Sequence, residues 1–140
     1  MRRRLGFAIV VLIVPLLLGH GDEDSGCCHE DDSHGVELGP PTGALCPSTQ
    51  TLTYDNFAGP FMEKYCTRCH SSKLSGEDRN GAPLYHDFDT LAGIRPVANH
   101  VDQMAGSGPN ATNLQMPPDG DMPTLEERQK LAEWIACGIP

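Results

Sequence analysis

Residues 64–70 read KYCTRCH, and this stretch constrains the chain more than any other. Cys66 and Cys69 stand three apart, and His70 follows the second thiol at once. Three chemistries use such a spacing. A structural zinc site needs four ligands, so two more must come from elsewhere. A redox-active thiol pair of the thioredoxin kind needs a βαβ setting. The third use is covalent anchorage of a cofactor through both sulfurs, with the imidazole as its neighbour.

The rest of the sequence decides among them. No second C-x-x-C or H-x-x-x-H pair follows at finger spacing, and Cys46 and Cys137 stand alone. No stretch alternates as a strand would. A helical turn is expected at TYDNF, and a first helix from Pro60 to about Cys69. Pro60 suits the first helical position, and Phe57, Phe61 and Tyr65 share a face. Residues 71–86 read as a polar surface loop. A middle helix is expected from Asp89 or Thr90, with Leu91, Ile94, Val97, Val101 and Met104 at helical spacing and Pro96 breaking or kinking it. Residues 106–123 form a second irregular loop. A last helix opens at Thr124, where TLEE is a capping box, and buries Leu125, Leu131, Trp134 and Ile135 before Gly138 ends it. The expected fold class is therefore all-α, three to five short helices with long loops. Loops this long in so small a domain need something to pack on, and a large planar cofactor supplies it.

The segment ahead of this body is different in kind. Arg2, Arg3 and Arg4 precede a fourteen-residue apolar run from Leu5 to Leu18. That is the length of a signal-peptide core and short for a membrane span. Residues 1–21 are read as a signal peptide or N-terminal anchor, and residues 22–43 as an acidic disordered linker. The body is then 44–140, exported or periplasmic, in a compartment that permits disulfides. The linker carries Cys27, Cys28, His29 and His34. Their spacing defines no metal geometry, and EDSG before Cys27 lacks the apolar residue that lipid attachment there requires. The formal net charge is −9 over 140 residues. Loss of the leader removes three of the ten basic residues and no acidic one, so the remainder is more acidic still. Such a balance argues against nucleic acid as a partner and suits a basic protein partner or a small redox molecule.

Export, a strandless helical body and C-x-x-C-H agree on one cofactor, a single covalently attached haem c. Cys66 and Cys69 are expected to carry the thioether links and His70 to ligate the iron from the proximal side. With FMEKYCTRCH early, MPP in a late loop and LAEWIACGIP at the end, residues 45–140 resemble a class I c-type cytochrome. They look most like bacterial cytochrome-c-like domains with a Met-Pro-Pro ligand loop. The resemblance implies the class I fold, with terminal helices crossing beside the haem and a distal methionine. A second Met-Pro at Met122 and the interruption at Pro96 depart from the pattern.

Five side chains compete for the sixth position. Met116 lies 46 residues after His70 and precedes Pro117 and Pro118, and the resemblance also places the ligand here. Met122 is the runner-up, although it lies next to the start of the last helix. Met104 belongs to an apolar stripe. His100 and His86 would give bis-histidine ligation, but His100 reads as surface and His86 as a candidate partner for a haem propionate. Arg95 and Arg79 are propionate candidates by charge, and Arg68 is placed at the surface near the haem edge. Phe61, Tyr65, Leu131, Trp134 and Ile135 are expected between the terminal helices. Because the class I fold brings those helices together, it also implies a Cys46–Cys137 disulfide.

The expected function is that of a non-enzymatic electron carrier between redox protein partners, with a membrane tether through the N-terminus in the anchored case. The readings set against it are a gas-binding or sensory haem protein, a haem subunit of a larger respiratory complex and, remotely, a zinc-binding module.

Overall fold

The computed structural model describes residues 37–140. The leader, Cys27, Cys28, His29 and His34 lie outside the described residues. The described residues belong to one compact unit. They are helical, with no strand among them beyond an isolated bridge between Ser107 and Thr112.

The helical course starts with a π-helical turn, Tyr54–Ala58. Thr53 caps it: its hydroxyl accepts from the Asn56 amide, and the Asn56 side chain accepts from the Thr53 amide. Helix α1, Gly59–Tyr65, continues directly, with Pro60 in its first turn. It ends at Tyr65, four residues short of the expected Cys69. The Met62 carbonyl accepts from both the Cys66 and Thr67 amides, and the Cys66 carbonyl then accepts from Cys69 and His70. The motif is thus a tight turn hung on the end of a helix.

The middle helix is in three pieces. Thr90, not Asp89, caps α2, Leu91–Ile94. A 3₁₀ turn at Arg95–Val97 follows, and then α3, Ala98–Ala105. Pro96 explains the break, since it has no N–H for the helical ladder. Gly93 is required for another reason: a Cβ there would meet the Asp87 carbonyl oxygen at 1.8 Å.

Helix α4, Leu125–Ala136, opens with the expected capping box. The Thr124 hydroxyl accepts from the Glu127 amide at 3.2 Å, and the Glu127 carboxylate accepts from the Thr124 amide at 2.7 Å. It closes in a Schellman motif. Gly138 takes φ +82°, its amide donates to Ile135, and the Ile139 amide donates to Trp134.

The core joins Phe61, Met62 and Tyr65 of α1 to Ile94, Val101, Leu131 and Trp134. Each such buried side chain contributes roughly 1.5–3 kcal/mol relative to exposure. Ile135 packs at the edge of this cluster, but Leu125 is 56% exposed, against expectation. At the first turn of α4 it stands outside the core, and Arg128 takes the inward position one turn later. Cys46 and Cys137 form the expected disulfide, with Cα atoms 4.7 Å apart.

The linker is shorter than its composition indicates. The Gly39 carbonyl accepts from Gln103 and the Pro40 carbonyl from Asn113. Thr42 gives both its amide and its hydroxyl to Asp102. Residues 39–42 are therefore fastened to α3 and the loop after it. Their glycine and prolines made them look like tether, since their partners are 60 to 73 residues away.

Candidate cofactor site at the Cys66–His70 turn

Cys66 and Cys69 are half-buried and unlinked, while the other two described cysteines are paired. Burial pushes the Cys66 thiol up to about 12, opposed by the nearby charges of Arg128 and Arg68. At neutral pH it is a thiol. A redox-active pair depends on an exposed, stabilised thiolate, so this environment argues against that use.

The His70 ring is placed by its other nitrogen. Nδ1 lies 3.1 Å from the His86 carbonyl oxygen. A carbonyl only accepts, so Nδ1 carries the proton and Nε2 keeps a lone pair. Phe88 stacks on the ring at 4.6 Å and 14°. Burial, partly offset by the bond to His86, lowers the His70 pKa to about 4, so the imidazole is neutral and available as a ligand.

Arg79 holds the loop that supplies that carbonyl. It is 4% exposed, and its three nitrogens donate to the carbonyls of Ser71, Ala82, Pro83 and His86 and to the Asp87 carboxylate. A guanidinium so engaged is not available to a propionate, which corrects the expectation for this residue. Arg95 is exposed and donates to the Ile139 carbonyl. Trp134 is fully buried, with its indole N–H on the Pro140 carbonyl.

His86 and His100, the bis-histidine candidates, face each other instead. Nε2 of His86 lies 3.0 Å from Nδ1 of His100, and the rings stack at 5.3 Å. His100 is therefore half-buried by a partner and not a free surface residue. Burial lowers the His86 pKa.

Met116 is half-buried against the core cluster, as is Cys66. Its amide donates to the Met104 carbonyl at 2.9 Å, and its carbonyl accepts from Arg128 at 2.9 Å. Its peptide bond to Pro117 is cis. Met104 is buried, as its stripe predicts. Met122 is 51% exposed and has no such anchorage. Arg68 reaches from the motif turn to pair with Asp119, three residues beyond Met116. The turn and the Met116 loop are therefore neighbours.

Two arginines of this site were not assigned these roles from sequence. Arg79 sits in a polar loop, where burial leaves no pattern. Arg128 did leave a signal: it falls on the inward register of α4, three residues before Leu131.

Among the described residues, no three His, Cys, Asp or Glu side chains gather as a metal cage. The fold and site together define an all-α domain bearing a C-x-x-C-H turn. No protein-family model matches the chain, and neither the curated proteins nor the solved structures give a match.

Proposed function

We propose that this chain is an exported single-haem c-type cytochrome of class I plan that carries electrons between redox protein partners. The observation that carries the reading is His70: its Nδ1–H is committed to the His86 carbonyl, which leaves Nε2 open directly after two unlinked thiols. These residues fit haem c. Cys66 and Cys69 would form the thioether links, His70 Nε2 would take the proximal position, and Met116 would take the distal one. Bound there, haem supplies a one-electron Fe(III)/Fe(II) couple.

The chain's own groups do the rest. The His86 carbonyl fixes the imidazole tautomer and makes Nε2 a better donor. Phe88 fixes the ring plane. The Met116 thioether is soft and neutral, and as a ligand it would favour the reduced metal relative to a second imidazole. Held at both its N–H and its C=O, Met116 is a poor candidate for a ligand that swings away, and this supports a carrier over a gas sensor. The His86–His100 contact supports methionine over a second histidine. The apolar leader and the acidic balance support export and a basic partner surface.

The test is to express the chain with a c-type maturation system and record ferric and ferrous spectra. Sharp ferrous bands of low-spin haem c, with the weak long-wavelength sulfur-to-iron band in the ferric form, support the reading. A low-spin spectrum without that band overturns Met116 as ligand. A high-spin spectrum puts the sensor reading first, and zinc without iron on metal analysis overturns haem altogether.

A further inference from the structure

The histidine–methionine reading leaves open what selects Met116 over Met122, six residues further on. Arg128 is 2% exposed, yet among the described residues no carboxylate pairs with it. A buried guanidinium without a counter-charge is costly and needs its donors taken up by other acceptors. Here the two N–H groups of Nη1 are shared among three carbonyl oxygens, those of Ala105 at 2.9 Å, Asn113 at 3.0 Å and Met116 at 2.9 Å. They come from the end of α3, the middle of the following loop, and the candidate ligand itself.

We propose that Arg128 is the positioning residue for the distal ligand: it draws the Met116 backbone onto α4 and so presents this methionine, and not Met122, to the iron. The proposal rests on the function proposed above. Its physical basis is the difference between the two methionines. Met116 is held on one side by the Met104 carbonyl and on the other by a charged donor, while Met122 is exposed. Asn113 strengthens the same hold. Its amide donates to Gly106 and its side chain to Pro40 and Asp102, so the loop ahead of Met116 is fixed before Arg128 closes it. A helix that buries its arginine in this way makes ligand presentation depend on the seating of α4.

The experiment uses the haem-loaded full chain as wild type, Arg128→Lys and Arg128→Gln. Thr90→Ala, which removes the cap of α2, serves as a purely destabilising control. Two quantities are read: the alkaline midpoint at which the ferric sulfur-to-iron band is lost, and carbon monoxide binding by the ferrous protein at neutral pH. Arg128→Gln should lose the band about one pH unit earlier, a tenfold weaker hold, and should bind carbon monoxide more readily. Arg128→Lys should fall between it and wild type, and Thr90→Ala should lower the melting temperature without moving the midpoint. Should Arg128→Gln fail to fold, Arg128→Lys decides alone. A midpoint unchanged from wild type in the folded Arg128 variant, beside a stability loss like that of Thr90→Ala, would mean that the role is only structural and the proposal is wrong. Absence of the band from the wild type itself would overturn the ligand assignment first, and this inference with it.

Discussion

The phenol of Tyr65 donates to the Glu127 carboxylate at 2.9 Å and joins the end of α1 to the first turn of α4. The bond spans 62 residues of sequence and ends on the same carboxylate that caps α4. The Glu127 carboxyl is held below its usual range, first by the Thr124 amide, with the Tyr65 hydroxyl and the Lys64 charge adding to the effect. A carboxyl depressed in the folded state contributes stability above its unfolded pKa, and that contribution is lost as pH falls through the folded value. Tyr65→Phe should therefore cost about 1 kcal/mol at pH 7. The difference from wild type should shrink under acid conditions, because a neutral carboxyl accepts the phenol more weakly. Urea titrations of both proteins at the two pH values check this, and an equal difference at both would refute it.

Met116→Ala should remove the sulfur-to-iron band of the ferric haem-loaded protein, and Met122→Ala should leave it in place. The expectation follows from their settings: one is packed on the core and held by its backbone, the other is exposed. Loss of the band in the Met122 variant alone would reverse the assignment.

Arg79→Lys is not conservative here. The guanidinium distributes its hydrogen bonds over four carbonyls and a carboxylate, a fork that an ammonium cannot reproduce. The variant should lose roughly 1–3 kcal/mol of stability, the cost of leaving buried carbonyls without a donor. It should also loosen the His86 carbonyl that orients His70. Chemical denaturation gives the first effect. A weaker hold on His70, seen as easier displacement of the proximal ligand in acid, gives the second.

Replacing Cys46 and Cys137 together by serine should destabilise the domain by about 4–5 kcal/mol in the loop-entropy account, because the bridge closes a very long loop. The two residues are 91 apart. Mass spectrometry under non-reducing conditions should find them resistant to alkylation in the folded oxidised protein.

Local signals in the sequence proved legible. Thr124 and Glu127 cap α4 as their spacing requires, Pro96 divides the middle helix, and Gly138 ends the last one. The Cys46–Cys137 pairing came only through a family resemblance, because nothing local joins residues so far apart. What stayed hidden are contacts between side chains and distant carbonyls. Arg79 reads only as a propionate candidate by charge, because its actual acceptors are mostly backbone groups, which carry no residue identity. His86 and His100 read as separate because one is in a loop and the other on α3. Leu125 reads as buried because periodicity does not say where along a helix the core stops.

The Cys46–Cys137 bridge also decides what happens when the chain is cut. The segments 71–90, which holds only a 3₁₀ turn at Gly76–Arg79, and 106–123 both lie between its ends. A protease that nicks either one leaves two pieces still bound through sulfur, each keeping part of the packed interior. An oxidised sample clipped once would run as an intact molecule on a denaturing gel and separate into fragments only after a reductant is added.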